Sequence, residues 1–199
     1  MSKWIFALVQ FFPLSLFAAY AFRQGPPTDD RWVQAFQVGA VAALLQLLIV
    51  LPQHWPANRL ILAANLYLLG GGLAALTHQW WFLKFYGVLK ESGIFLFMLG
   101  VGAVATFASS AGFVAVAGAQ QERVRRASLW LLAATVPALV ASFLFQGNRI
   151  WAAVVPVVVL GVLQRVLVHR LHSAEQEEMH NNQMQQTTPA TAGRRELRS

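Results

Sequence analysis

The chain has 199 residues, of which 57% are hydrophobic and only 12% charged, with a formal net charge of +7 and no cysteine. An ordinary soluble domain carries about twice that share of charge, so composition excludes that class. The missing cysteines exclude disulfides, thiol catalysis and cysteine-ligated metals.

The apolar residues come in long runs, and a membrane-spanning helix needs roughly 20 predominantly apolar residues. The first run is Trp4–Phe22, with Pro13 inside it. Lys3 in front and Ala19-Tyr20-Ala21 near its end also fit a cleaved signal peptide. A signal core spans about 7–15 residues, and this run is longer, which favours a span. Trp32–Leu51 and Leu60–Leu76 follow, then Ile94–Ala119, Leu129–Phe145 and Ile150–Val168. The predicted fold is all-α: a polytopic transmembrane helical bundle over residues 1–172. About six spans are expected, at 4–22, 32–51, 60–76, 94–119, 129–145 and 150–168.

Tryptophan supports the same division, because indole rings favour the membrane–water boundary. All seven lie at or near proposed span ends: Trp4, Trp32, Trp55, Trp80, Trp81, Trp130 and Trp151. Orientation follows from lysine and arginine near those ends. Lys3, Arg59, Arg123, Arg125, Arg126, Arg165 and Arg170 fall on the N-terminal side, against Arg23, Arg31, Lys84, Lys90 and Arg149 opposite. Both termini are therefore expected in the cytoplasm, with the protein multi-pass in a bacterial inner membrane. The positive charge reads as topology and contact with anionic lipid, and nucleic acid is not an expected partner. Residues 173–199 are rich in Gln, Asn and Thr and poor in large apolar side chains. They are expected to form a disordered cytoplasmic tail, with the last helix entering its first few residues.

Residues 77–93, THQWWFLKFYGVLKESG, interrupt the apolar pattern between the third and fourth spans. Phe82, Leu83, Phe85, Val88 and Leu89 each gain about 0.5 kcal/mol at the bilayer centre, whereas Lys84 and Lys90 each cost about 3 kcal/mol. The lysines win, so the segment belongs at the surface or beside a wet cavity. Phe82, Phe85, Tyr86 and Leu89 match the i, i+3, i+4, i+7 spacing of one helical face. A short interfacial amphipathic helix over 79–91 is predicted, with Lys84 reaching headgroups or a partner. His78, Trp80, Trp81, Phe82, Lys84, Phe85 and Tyr86 are the candidate contacts, either as a plain anchor or as a recognition site.

The same stretch resembles the intracellular septation protein A family. The resemblance rests on Gly70-Gly71-Gly72, then His78, then Phe82-Leu83-Lys84-Phe85. Phe12-Pro13-Leu14 with Ala19-Tyr20 is similar to that family's opening segment, and Trp130 with Gln146 and Trp151 to its last helix pair. Tyr86 and Gly87 stand where the family has a second lysine and a proline or small residue. The resemblance implies an inner-membrane protein of envelope maintenance and division that works through partner proteins.

None of the eight carboxylates lies within a proposed span, where ion-coupled transporters and intramembrane enzymes place the ionisable group they use. His169 and His172 lack a third ligand nearby, and Gly100-Val-Gly102 lies within a span rather than after a strand. No catalytic residue, cofactor or metal is expected. Gly102, Thr106 and Ser110 form a small-residue stripe on the fourth span, with Gly112 on an adjacent one, and are expected to pack against another helix. Gln46 and Asn65 are the most polar residues deep in spans two and three. They fit an interhelical hydrogen bond or a pore contact. Two function classes result: a non-enzymatic membrane scaffold of the cell envelope, bound to lipids and other inner-membrane proteins, or a small transporter or channel for an uncharged or anionic solute. In the latter, Gln46, Asn65, Ser109 and Ser110 would line the path.

Overall fold

A computed structural model describes residues 3–25, 28–50, 58–148 and 150–187. Side chains are described from residue 12 to 184, apart from Phe82 and the stretches between these segments. The fold is an all-α bundle of apolar helices. Helix α1 spans Lys3–Ala21, α2 Asp29–Val50, α3 Arg59–Leu76 and α4 Trp80–Leu89. A 3-10 turn, Lys90–Ser92, joins α4 to α5, which spans Gly93–Ala108. Helix α6 covers Gln121–Leu144, and a π-helical turn at Ile150–Val154 leads into α7, Val155–Thr187. Among the described residues, five helical segments are long and apolar enough to cross a membrane: Asp29–Val50, Arg59–Leu76, Leu83–Ala108, Gln121–Leu144 and Ile150–Met184. Helix α1, at 19 residues, covers the first apolar run.

The α2–α3 pair is the most extensive contact in the bundle, and its cause is written in Gly70-Gly71-Gly72. A Cβ added at Gly71 would lie 2.2 Å from Phe36 Cδ1, and one at Gly72 would lie 2.2 Å from Ala40 Cβ. In lipid, apolar burial does not drive helices together, so contact depends on close van der Waals fit. The glycines remove two side chains and admit a phenylalanine ring and a neighbouring backbone in their place. Deeper in the same seam, Asn65 Nδ2 donates to Gln46 Oε1 at 2.6 Å, with both side chains buried.

The fourth span differs from its expected extent of 94–119. Helix α5 stops at Ala108, about 24 Å along its axis at 1.5 Å per residue, and residues 109–120 fold back as a compact loop. Phe113, Val114 and Val116 of that loop are buried. The small-residue stripe therefore leaves the helix before Ser110, and Gly102 faces Phe113 of the loop. A Cβ at Gly102 would meet Phe113 Cε1 at 2.7 Å, so the loop's own ring fills the notch. Thr106 Oγ1 donates to the Gly102 carbonyl at 2.7 Å, while Ser110 is exposed. Gly112 has φ +56° and would bring a Cβ within 2.2 Å of Ser128 Oγ on α6.

A buried loop must satisfy its backbone, and Arg59 does much of this. Its guanidinium donates to Ser109 Oγ at 2.7 Å, to the Ala105 carbonyl at 3.5 Å and to the Gly112 carbonyl. Arg59 opens α3 yet closes α5, where a cation complements the negative end of the helix dipole. Hydropathy cannot distinguish this loop from helix, because both are apolar.

The far end of α7 also differs from the expected tail. Residues 173–187 continue the helix, and Arg123 near the start of α6 pairs with Glu178. Extending a helix already nucleated in the membrane needs no new nucleus, so this polar stretch stays helical without burying an apolar face. Residues 188–199 lie outside the described ones.

The glycine seam makes a direct prediction. Gly72→Ala should lower thermal stability in detergent by about 1–3 kcal/mol, the scale of an overpacked contact, because Ala40 has no rotamer with which to give way. Gly100→Ala, with nothing within 4 Å of the new Cβ, should be neutral or slightly stabilising. Equal effects at the two positions would contradict the seam. Arg59→Gln should expose the 109–120 loop to limited proteolysis ahead of the rest of the bundle. Cleavage no faster than wild type would show that the loop holds without the arginine.

Candidate functional site at the α4–α5 joint

Helix α4 forms where the sequence places an amphipathic helix, and only part of its expected apolar face packs on the bundle. Leu83 and Tyr86 are buried, whereas Trp80, Trp81, Lys84, Phe85 and Val88 are exposed. Leu89 is half-buried, and the side chain of Phe82 lies outside the described ones. Tyr86 therefore parts from Phe85, its expected companion. In a bilayer an apolar ring gains little by choosing protein over lipid, so the apolar stripe does not mark the packed face. Tyrosine is different, because its hydroxyl needs a polar partner.

Tyr86 finds that partner inside the bundle. Its ring stacks on Tyr67 with centroids 5.0 Å apart and an interplanar angle of 19°. Its hydroxyl donates to the Tyr67 carbonyl at 3.4 Å and lies 2.9 Å from where a Cβ on Gly70 would be. The ring of Phe36 meets both tyrosines edge to face, at 5.4 and 5.2 Å. Three consecutive glycines thus serve three purposes: Gly70 admits Tyr86, Gly71 admits Phe36, and Gly72 admits Ala40.

The joint after α4 is equally constrained. Lys90 has φ +46°, its N–H donates to the Tyr86 carbonyl, and its own carbonyl accepts from the Tyr67 hydroxyl at 3.3 Å. Ser92 donates to the Leu89 carbonyl. Gln146, in the turn after α6, donates to the carbonyls of Val88 and Leu89, both at 3.4 Å. At the other end of α4, His78 has φ +54° in an exposed turn, with its ring 5.6 Å from that of Trp80. Trp81 Nε1 donates to Gln79 Oε1 at 2.9 Å.

Glu91 is the residue whose place sequence reasoning missed. Glu91 precedes the expected fourth span and lies in the 3-10 turn at the start of α5, within the longer apolar helical segment Leu83–Ala108. It lines a cavity of about 290 Å³ with Leu14, Phe17, Trp32, Ile94 and Val157. Glu91 Oε2 and Trp32 Nε1 are both buried without a hydrogen-bond partner. The cavity draws on α1, α2, α3, α5 and α7, which no local motif could reveal. Arg59 was visible in the sequence only as a topological charge. Its role lies in partners 46 to 53 residues away.

The remaining candidates do not join this site. Gln46 and Asn65 bond to each other in the α2–α3 seam, Gly102 meets Phe113 of the 109–120 loop, Thr106 bonds to the Gly102 carbonyl, and Gly112 lies in the loop against α6. Ser109 and Ser110 also sit at that loop, around a small polar recess with Gln121 and Arg125. His169 and His172 are exposed on α7. No family model, curated protein or solved structure matches the chain.

The two faces of α4 should separate in a stability measurement. Tyr86→Ala should destabilise the detergent-solubilised protein by about 3–5 kcal/mol, the usual cost of emptying a buried aromatic site. Phe85→Ala on the exposed face should change stability by less than about 0.5 kcal/mol. A larger loss at Phe85 than at Tyr86 would reverse the assignment of faces.

Proposed function

We propose that this is a non-catalytic protein of the bacterial inner membrane, acting in cell-envelope maintenance of the septation type through other membrane proteins. The outward face of α4 carries the reading. Trp80, Trp81, Phe85 and Val88 surround Lys84 on a helix held from behind by Tyr86. Aromatic side chains on a fixed backbone supply large contact area at low entropic cost, and tryptophan is prominent among interface hot spots. One lysine among them adds orientation through charge. The likeness of residues 78–85 to the septation protein A pattern supports an envelope setting. Charge asymmetry supports a non-cytoplasmic side for this face, with both termini in the cytoplasm.

Interior polar groups support packing over solute transport. Gln46 and Asn65 bond to each other, while Thr106 and Thr135 donate to carbonyls of their own helices. The first bond joins two helices, and the threonine bonds satisfy their hydroxyls within one helix.

A photo-crosslinking residue at Trp81 in intact bacteria tests this reading against one at Val104, an exposed apolar position within α5. Trp81 should yield a discrete protein adduct and Val104 should not. Lys84→Gln should abolish that adduct at normal expression, and Lys84→Arg should keep it. Only lipid adducts at Trp81 would reduce α4 to a membrane anchor.

A further inference from the structure

We propose that the cavity beside Glu91 binds an amphiphile carrying an ammonium group, with an oxygen acceptor next to it and an apolar tail. The site is separate from the outward face of α4 and does not depend on partner recognition there.

Three observations combine. First, no described residue forms an ion pair with the carboxylate. Among the described residues the ion pairs are Arg123 with Glu178 and Arg126 with Glu122. Arg31, next to Trp32, has a buried Nη1 without a hydrogen-bond partner, and Lys90 lines the same cavity with its side chain largely exposed and in neither ion pair. Removing a carboxylate oxygen from water without a partner is costly, so a cationic donor at Oε2 has much to gain. Second, Trp32 Nε1 offers a buried, unused donor to the same cavity. An oxygen adjacent to the ammonium, as in an amino alcohol or its phosphate ester, accepts that N–H while the ammonium donates to Glu91. The Phe17 and Trp32 rings meet edge to face at 5.3 Å, and aromatic faces near a cation add further attraction. Third, most of the other walls are apolar, with Ser15, Tyr67 and Lys90 as the exceptions. Leu14, Ile94 and Val157 give an alkyl chain a surface continuous with the membrane-spanning helices. At about 290 Å³ the cavity sits at the small end of ligand sites and accommodates a headgroup with its first methylenes rather than a whole lipid.

Such a ligand can come from the bilayer, as an ethanolamine lipid, or from water, as a free alkylamine. Purified full-length protein in a neutral maltoside detergent is titrated with octylamine, octanol and octanoate, following thermal unfolding. Octylamine should bind about tenfold or more tightly than octanol, the scale of one charge-assisted hydrogen bond, and octanoate should not protect. This comparison in the wild-type protein needs no variant. Glu91→Gln, which keeps the shape and removes the charge, should erase the preference for the amine, and Trp32→Phe should weaken an amino alcohol more than octylamine. Native mass spectrometry of protein released from nanodiscs of phosphatidylethanolamine and phosphatidylglycerol assigns the source. Ethanolamine lipid retained by wild type and lost from Glu91→Gln identifies the bilayer; octylamine protection without retained lipid identifies a soluble amine. Equal protection by amine, alcohol and carboxylate overturns the proposal, as does an undiminished amine preference in Glu91→Gln.

Discussion

The architecture depends on how closely α2 and α3 approach. Inside a bilayer, lipid tails solvate apolar side chains as well as protein does, so helices associate through fit and polar contacts rather than burial alone. Gly71 and Gly72 give α2 a groove in α3, and the ring of Phe36 lies in it. That ring is the hub of an aromatic cluster. It lies 4.9 Å from Phe17 on α1, 5.6 Å from Trp32 on its own helix, and against Tyr67 and Tyr86. Filling the groove would displace the ring and, through it, the contacts of three other helices.

From this hub the functional surfaces follow in order. Tyr86 pins α4 against α3, and that fixes which side chains of α4 face outward. The Tyr67 hydroxyl takes the Lys90 carbonyl and stabilises the left-handed turn there. The turn sets Glu91, half-buried, on a cavity it shares with residues of α1, α2 and α7. At the opposite end of α5, Arg59 plays the matching part by holding the loop that lets this helix stop short. Both ends of α5 are thus closed by side chains of α3, Tyr67 at one and Arg59 at the other.

Much of this was legible in the sequence, and the rest was hidden for physical reasons. Apolar runs identify membrane helices because lipid imposes a length and a composition. Gln46 and Asn65 stood out because a polar side chain deep in an apolar helix needs a partner. Hydropathy failed at residues 109–119, where Phe113, Val114 and Val116 are as apolar as a span but pack as loop. Periodicity on α4 marks an apolar face without saying whether protein or lipid covers it. Neither method could find the surroundings of Glu91, whose neighbours come from five helices. A helix breaker was no guide to the end of α5 either, because a distant arginine stabilises that end.

The central claim is that α4 is a clamped helix with Leu83 and Tyr86 inward and an aromatic face with Lys84 outward. The absence of cysteine allows single spin labels to be placed without background, one at a time across residues 80–91, in reconstituted bilayers. The account predicts immobilised labels at 83 and 86 and mobile ones at 80, 81, 84, 85 and 88. Immobilisation at 82, 85 and 89 with mobility at 83, or uniform mobility throughout, would contradict it.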